Sequence, residues 1–408
     1  MTAMDQKDID RHWMTETLAL AEKGAGLTSP NPMVGALIVK NGEVVGRGYH
    51  HRAGGPHAEV LALKQAGQFA AGATLYANLE PCTHYGKTPP CVEAVIAAGI
   101  TTVVCAMADP NPKVNGAGVR VLRENGVGVR VGVLHDAAVR LNEAHVKYIV
   151  TGRPLVTLKI AQTLDGKIAP VGGRGVALTG LESQQFVHTL RSRADAVLVG
   201  KNTVLSDDPR LTVRAVKGRD PIRLILDSWG KIPTSARVFA GNDDKKTVRI
   251  GVAMGRRPLT APHPDCFDWY VNTDDHHQVN LHEVLDIAGR NNITSILVEG
   301  GGEIFGSFLR EKLADKVHLL IAARFLGTGV NALGKWKAPS LDESVRLTDA
   351  NVRWLGRDLL VTGYPDYEPE PQHVSDGDAV PERASGTDGP VSVSAKGAAV
   401  TGEQGTED

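Results

Sequence analysis

Two short stretches decide the fold of the first half of the chain: GGPHAEV at residues 54–60 and LEPCTHYGKTPPC at residues 79–91. Together they supply one imidazole and two thiols, from His57, Cys82 and Cys91. Zinc prefers imidazole and thiolate ligands in a tetrahedron, and a catalytic zinc site leaves one position open for water. Each of the three residues lies at the start of a predicted helix, where backbone N–H groups favour negative charge. We therefore predict a zinc site with an open position.

Glu59 follows His57 by two residues, so we expect it to face the open position without being a ligand. Such a carboxylate can move protons between an activated water and a leaving amine, while the metal makes hydroxide available near neutral pH. The pattern H-x-E followed by P-C matches the signature of zinc deaminases. Eight residues separate Cys82 from Cys91, where the usual nucleoside deaminases have two. We interpret Glu59 as the catalytic proton carrier.

Two other interpretations of this site stay open. His84 would close the site as a fourth ligand, which would make the zinc structural and leave Glu59 without a task. Alternatively, the site is one exposed histidine beside two buried thiols. Cys105 lies in an apolar strand and is interpreted as a core residue.

The alternation of predicted helices and strands divides the chain into two α/β halves and a tail. In the first half, the predicted helices span residues 8–23, 57–66, 90–98, 119–125 and 136–150, and the predicted strands span 34–39, 43–49, 74–79, 101–107 and 127–133. Asn41-Gly42 is the strongest short hairpin signal between two such strands. The pattern favours three layers around one mixed sheet. Residues 151–154, TGRP, are interpreted as the junction.

The second half repeats the alternation without an internal repeat of the first. Its predicted strands span residues 155–161, 196–199, 222–226, 247–252, 295–298, 316–322 and 358–363, and its helices span 181–192, 281–289 and 303–312. Runs such as AVLV and SILV suit a sheet that is covered on both faces. We predict domains at residues 1–150 and 151–366.

Residues 367–408 are predicted to be a disordered acidic tail. From Glu368 onward the tail has nine acidic residues against two basic ones, and it lacks Leu, Ile, Met, Phe, Trp and Tyr. A segment without large apolar side chains cannot offset the ordering entropy of ~1–2 kcal/mol per residue. The alternative is an acidic docking segment.

The amino-acid composition argues against several classes of binding partner and against secretion. The 408 residues carry 45 basic and 46 acidic side chains, which gives no electrostatic case for nucleic acid or an anionic membrane. No segment approaches the ~20 consecutive apolar residues that span a bilayer. Four cysteines are too few for a disulfide framework, and the first residues lack a secretory pattern. We expect a cytoplasmic protein that forms homo-oligomers, as dimers or tetramers.

Polar residues near the predicted zinc site suit a phosphorylated small molecule. Asn31 stands between two prolines, His50 and His51 end the hairpin, and Lys87 would place a positive charge near the zinc. Asn111 follows the fourth strand in the run DPNP. Taken singly, each of these residues is also typical of a turn or a surface.

The second half offers two weaker signals. Residues 298–303, VEGGGE, predict a strand, a glycine turn and a helix start, which together suit a bound phosphate. The start of the second half lacks the fingerprint G-x-G-x-x-G that is typical of an ordinary Rossmann domain. Residues 203–214 predict a polar loop with two arginines that suit a sugar phosphate. A plain tight turn and a solvated loop are the alternatives.

Longer runs resemble the bifunctional deaminase–reductase family of riboflavin biosynthesis, RibD. In the first half they are SPNPMVGALIV, GYHHRAGGPHAEV, LEPCTHYGKTPPC and DPNP, and the C-x8-C spacing with its GKTPP loop is characteristic of that family. In the second half they are KIAQTLDGKIA, VLVGKNTVLSDDPRLTVR, RLILDS and VEGGGEIFGSFL. The resemblance covers about residues 8–365.

The resemblance implies a cytidine-deaminase-like domain followed by a dihydrofolate-reductase-like domain. It implies that the first hydrolyses the pyrimidine amino group of 2,5-diamino-6-(5-phosphoribosylamino)pyrimidin-4-one, with His57, Cys82 and Cys91 on zinc and Glu59 carrying protons. The second would reduce the ribosyl group to ribityl with NADPH. One alternative keeps the deaminase but has a second half that only binds phosphorylated ligands. The others are a zinc-stabilised scaffold and a nucleic-acid base deaminase.

The resemblance also assigns residues in the second half. The implied cofactor contacts are Ala161, Ala177, Thr203, Asp207, Ser228, Gly301, Gly302, Glu303, Ile304, Phe305 and Gly306. The implied substrate contacts are Lys159, Gly175, Arg191, Leu211, Arg214 and Glu299. The family run Ser-x-Trp-Ile-Thr reads GVALT at residues 175–179, so this chain lacks the hydroxyl and the aromatic face at those positions.

Overall fold

A computed structural model describes residues 5–83, 85, 89–111, 115–172, 177–240, 244–254, 257–258 and 260–368. The predictions for His84, Lys87, Gly175 and the tail from residue 369 onward lie outside the described residues. In the described part, no helix is both long and apolar enough to cross a membrane.

The first half contains a five-stranded mixed sheet between two layers of helices. Its strands are β1 (Gly35–Lys40), β2 (Glu43–Tyr49), β3 (Thr74–Leu79), β4 (Thr102–Met107) and β5 (Gly128–Val131), in the order β2-β1-β3-β4-β5. Its helices are α1 (Gln6–Glu22), α2 (Ala58–Ala66), α3 (Cys91–Ala97), α4 (Ala117–Glu124), α5 (His135–Leu141) and α6 (Glu143–Thr151). Strand β1 pairs antiparallel with β2 and β3, and β3, β4 and β5 run parallel. Helices α2, α3 and α4 pack on one face, and α1 and α5 on the other. The predicted three-layer sheet is confirmed.

The turn between β1 and β2 is the predicted hairpin. Asn41 and Gly42 both have positive φ, 51° and 80°, as a two-residue type I′ turn requires. Asparagine and glycine tolerate that region better than other residues do, so local sequence alone specifies this connection.

The helix predicted over residues 136–150 is interrupted at Asn142, which separates α5 from α6. The Asn142 side chain accepts the Met33 N–H at 2.8 Å and donates to the Met33 carbonyl oxygen at 3.0 Å. Both bonds join α5–α6 to the segment before β1. Because this contact spans 109 residues of sequence, local periodicity did not reveal the break.

The second half contains a ten-stranded sheet and a separate two-stranded sheet. The strands are β6 (Leu155–Thr163), β7 (Lys167–Pro170), β8 (Ala196–Gly200), β9 (Ile222–Leu226), β10 (Thr247–Met254), β11 (Arg257–Pro258), β12 (Phe267–Val271), β13 (Ser295–Gly300), β14 (Lys316–Ala322), β15 (Gly329–Asn331), β16 (Arg346–Leu355) and β17 (Asp358–Asp366). The large sheet has the order β11-β10-β9-β8-β13-β6-β14-β17-β16, with β12 beside β10, and β7 pairs with β15. The helices are α7 (Leu181–Arg193), α8 (Lys201–Asp207), α9 (Leu281–Arg290) and α10 (Gly302–Arg310).

All seven strands predicted for this half are present, and five further strands were missed. Among those missed, β16 is an edge strand whose side chains are mostly exposed, so it lacks the apolar run of a buried strand. The prediction of a polar loop over residues 203–214 was wrong in its first part, because Thr203–Asp207 belong to α8. That helix is only seven residues long, too short to show a helical period.

Replacing Leu158 tests the core of the large sheet. Leu158 on β6 is fully buried among apolar side chains, so Leu158→Ala should lower the free energy of unfolding by about 2–5 kcal/mol. Leu341→Ala is the matched control, since Leu341 is 86% exposed and its loss should change stability by no more than about 0.5 kcal/mol. Urea denaturation followed by circular dichroism measures both variants. Equal stabilities would contradict the packing described here.

Candidate active sites

The three predicted zinc ligands come together at one end of the first sheet. One donor atom from each of His57, Cys82 and Cys91 lies within 4.8 Å of the other two. His57 Nδ1 is 3.2 Å from Cys91 Sγ and 3.5 Å from Cys82 Sγ. His57 caps α2 and Cys91 opens α3, as predicted. The prediction that Cys82 also starts a helix was wrong, because Cys82 lies outside any helix, three residues after the end of β3.

The surroundings of the cluster favour a thiolate at Cys82. Hydrogen bonding to the Cys91 thiol, assisted by His57, lowers the pKa of Cys82. The hydrogen bond to Cys82 in turn raises the pKa of His57. The Cys91 backbone N–H also donates to Cys82 Sγ at 3.4 Å, which stabilises a thiolate there. One imidazole and two thiols at these separations are a donor set that fits zinc.

Glu59 lies in the same cavity as the cluster. The residue is 96% buried on the first turn of α2, and burial raises the pKa of its carboxyl group. A carboxyl group with a raised pKa is easier to protonate and returns the proton readily, as a general acid–base requires. The geometry therefore supports proton transfer beside the three donor atoms.

Two of the three residues predicted to contact the deaminase substrate border this cavity, which has a volume of about 400 Å³. Asn31 Nδ2 lies 3.1 Å from His50 Nε2, and His50 Nδ1 lies 3.0 Å from the Pro56 carbonyl oxygen. Burial lowers the pKa of His50, so its imidazole is neutral near pH 7. Hydrogen bonds thus hold both side chains at the cavity wall. The third predicted contact, Lys87, lies outside the described residues.

Sequence reasoning missed Glu80 and Asp109, which also line this cavity. The Glu80 carboxylate accepts backbone N–H groups of Asp109, Gly116 and Val119, each at 3.0 Å. It therefore ties the end of β3 to the segment after β4. The only signal was a charged residue directly before Pro81, which gave no hint that its partners lie 29 to 39 residues away.

A second cavity of about 1030 Å³ lies at the carboxyl ends of β8, β9 and β13. The predicted cofactor residues that line it are Thr203, Asp207, Ser228, Gly301, Gly302, Glu303 and Ile304. Ala161, Ala177, Phe305 and Gly306 are not among its lining residues, and Phe305 packs in the core. Lining residues that sequence reasoning missed include Lys201, Trp229, Gln278, Arg310 and Lys335.

The glycine turn after β13 has the predicted form. Gly300 has a φ of 133°, a backbone region that residues with a side chain rarely adopt, and Gly301 caps α10. Gly301 and Gly302 both line the second cavity. The N-terminus of a nine-residue helix thus borders a large cavity, an arrangement that suits the phosphates of a dinucleotide.

Three of the predicted reductase-substrate residues form one buried ion cluster. Arg191 donates to both carboxylate oxygens of Glu299, at 2.5 and 2.9 Å, and Lys159 Nζ lies 3.2 Å from Glu299 Oε2. Burial alone would raise the pKa of Glu299, but the two cations outweigh it and hold the pKa at about 2. Glu299 is therefore ionised across the physiological pH range.

Thr212 links this ion cluster to Leu211 and Arg214, two more residues predicted to contact the reductase substrate. Arg191 Nη1 donates to the Thr212 carbonyl oxygen at 3.1 Å, and Arg214 Nη1 donates to Thr212 Oγ1 at 2.9 Å. Leu211, directly before Thr212, is buried. The structure thus brings together five of the six predicted residues, and the sixth, Gly175, is not described.

Two family models match the chain, one for each half. The model "cytidine and deoxycytidylate deaminase zinc-binding region" matches residues 7–107, and the model "RibD C-terminal domain" matches residues 154–361. The matches confirm the cytidine-deaminase-like first domain and the reductase class of the second.

Curated relatives match over nearly their whole length. The riboflavin biosynthesis protein RibD of Aquifex aeolicus is 43% identical over 87% of this chain and 98% of its own. The protein of the same name from Escherichia coli is 36% identical over 86% of this chain and 98% of its own.

Solved structures agree with these matches. Acinetobacter baumannii RibD superposes with a TM-score of 0.80 at 34% identity, over 88% of this chain and all of that one. A diaminohydroxyphosphoribosylaminopyrimidine deaminase/5-amino-6-(5-phosphoribosylamino)uracil reductase from Thermotoga maritima superposes with a TM-score of 0.78 at 36% identity, over 89% of this chain and all of that one. The chain therefore belongs to the RibD family of riboflavin biosynthesis proteins, in which a zinc-binding deaminase domain is joined to a reductase domain.

Proposed function

We propose that this chain catalyses two consecutive steps on one phosphorylated pyrimidine. The first is hydrolytic deamination of 2,5-diamino-6-(5-phosphoribosylamino)pyrimidin-4-one, and the second is NADPH-dependent reduction of its ribosyl group to ribityl. The observation that carries the proposal is the convergence of His57, Cys82 and Cys91 within 4.8 Å, with buried Glu59 in the same cavity.

In the first step, His57, Cys82 and Cys91 hold a zinc ion, which when bound supplies Lewis-acid activation of water. Glu59 takes a proton from the water and delivers it to the departing amino nitrogen, a role that its raised pKa supports. Asn31 and His50 form the wall against which the pyrimidine is oriented. Lys87 stays a prediction as the partner of the substrate phosphate.

In the second step, a nicotinamide cofactor, when bound, supplies the hydride. The start of α10 at Gly301–Gly302 binds its phosphates, and Thr203 and Ser228 offer hydroxyl groups along the same cavity. Arg191 and Lys159, held by Glu299, orient the phosphoribosyl group. The preference for NADPH over NADH comes from the family resemblance.

The alternative of a second half that only binds phosphorylated ligands is not favoured, because the RibD C-terminal domain model matches 154–361. Homo-oligomer formation and a cytoplasmic location stay predictions.

Replacing Glu59 tests the proton-transfer role. Glu59→Gln keeps the size of the side chain but cannot exchange the proton, so ammonia release should fall by about 10²–10⁴-fold with zinc still bound. Glu124→Gln is the control, since Glu124 is exposed at the end of α4 and does not line the cavity. Coupled detection of ammonia measures both variants. Near wild-type release from zinc-loaded Glu59→Gln would overturn the assignment.

Metal analysis tests the ligand set. The purified protein should contain about one zinc per chain, and Cys82→Ser should lose most of it because a hydroxyl group is a poor zinc ligand. Cys266→Ala should keep the metal, since Cys266 lies in the second half and outside the donor cluster. Mass spectrometry of the desalted proteins gives the zinc content. Full zinc content in Cys82→Ser would remove Cys82 from the ligand set.

Absorbance at the nicotinamide band tests the second step. Given the deaminated pyrimidine and NADPH, the protein should oxidise the cofactor, and Glu299→Gln should slow the oxidation at least about tenfold, because Arg191 and Lys159 lose their shared anion. Glu343→Gln, at an exposed position, should change nothing. Circular dichroism checks that both variants fold. Ammonia release without NADPH oxidation by the wild-type protein would favour the binding-only alternative.

A further inference from the structure

The loop between α1 and β1, residues 23–34, carries part of the deaminase cavity wall. Pro30, Asn31, Pro32 and Val34 from this loop all line the cavity. The loop belongs to the first half in sequence, but several of its anchors come from the second half.

Asp195 is the first of these anchors. It directly precedes β8, and its side chain is 92% buried. Its Oδ2 accepts the Ser29 hydroxyl at 2.6 Å and both the N–H and the hydroxyl of Thr294 at 2.8 Å, while its Oδ1 accepts Arg219 Nη2 at 2.7 Å. Hydrogen bonds to an ionised carboxylate are about twice as strong as neutral ones. The Ser29 hydroxyl is therefore bound to a carboxylate that three other donors also hold.

Arg219 and the end of α7 hold a second point of the same loop. Arg219 Nε donates to the Gly26 carbonyl oxygen while its Nη2 group binds Asp195. A Cβ atom on Gly26 would lie 2.3 Å from the Ser192 carbonyl oxygen, so the two backbones are in direct contact. The second half thus fixes the loop at both Gly26 and Ser29.

These anchors lead directly to the cavity. Ser29 is two residues from Asn31, whose amide lies 3.1 Å from His50 Nε2. On its other side the loop is held by His145, whose Nδ1 lies 3.2 Å from the Pro30 carbonyl oxygen. If Ser29 loses the Asp195 acceptor, the second half keeps two weaker holds on the loop: the Thr294 hydroxyl, 3.3 Å from the Ser29 hydroxyl, and the contact at Gly26, three residues before Ser29.

We propose that Asp195, with Arg219, is a positioning residue for the deaminase: it fixes the loop that presents Asn31 to the pyrimidine. The deaminase site is thus completed by the reductase half. The inference rests on the proposed function, because Asn31 is expected to contact the pyrimidine during the proposed deamination.

The contact between Asp195 and Ser29 and the second cavity lie at opposite ends of the strands of the large sheet. Asp195 and Thr294 lie at the amino ends of β8 and β13, whereas the second cavity lies at the carboxyl ends of the same strands. At about 3.3 Å per residue, the five residues of β8 place the two regions roughly 17 Å apart. NADPH oxidation is therefore an internal control above all for changes at Ser29, whose hydroxyl group contacts Asp195 and Thr294 and none of the residues predicted for the reductase.

The test compares Ser29→Ala, Ser29→Thr and Asp195→Asn in the full chain. Ser29→Ala and Asp195→Asn should each raise the KM for deamination about tenfold, the scale of one lost charge-assisted hydrogen bond, and should change kcat less. Ser29→Thr keeps the hydroxyl and should restore KM to within about threefold of wild type. NADPH oxidation by all three variants should stay within about twofold of wild type.

Arg140→Gln is the matched control. It breaks an exposed ion pair between the halves, Arg140 to Asp349 at 2.8 Å, without touching the loop, and should leave KM unchanged. An unchanged KM in Ser29→Ala, or an equal fall of both activities in Ser29→Ala and Asp195→Asn, would overturn the proposal.

Hydrogen–deuterium exchange separates this inference from the proposed function. Ser29→Ala should speed exchange in residues 24–34, whichever substrate the protein uses. Faster exchange there, in a protein whose wild type releases no ammonia from the diaminopyrimidine, would uphold the anchoring and refute the deaminase assignment. Unchanged exchange would refute the anchoring itself.

Discussion

The close approach of one imidazole and two thiols is the constraint on which the first half depends. His57 caps α2, Cys91 opens α3, and Cys82 follows β3, so three separate elements must meet at one point. Helices α2 and α3 pack into the same apolar core on one face of the sheet, and that packing aligns their N-termini. The alanines of α2 and the valines of α3 therefore position the chemistry as much as the donor atoms do.

The large sheet borders two separate regions, one at each end of its parallel strands. The carboxyl ends of its strands border the cavity that suits a dinucleotide. The amino end of β8 holds the loop of the deaminase cavity through Asp195. Parallel strands present the same end to the same side, so one sheet supports both regions without overlap. The joining of the two domains in one chain thus has a structural consequence beyond covalent linkage.

Much of the fold was predictable because its signals are local. Asn41-Gly42 specified the hairpin, and the buried strands of the second half were visible as short apolar runs. The edge strand β16 was not visible, because an exposed strand needs no apolar run. The break at Asn142 was also hidden, because its cause is a pair of hydrogen bonds to Met33, 109 residues away.

By itself, the sequence predicted the zinc donor set of His57, Cys82 and Cys91 and the acid–base residue Glu59, since a metal site needs particular side chains and these are the types that zinc chemistry uses. The tertiary structure alone decided the anchors around them: Glu80 on the segment after β4, and Asp195 on Ser29. The reason is physical. Whether a side chain can bind a metal depends on its own chemistry, which the sequence gives directly. Which groups a buried carboxylate holds in place depends on the distant N–H and O–H groups that the folded chain brings within hydrogen-bonding distance.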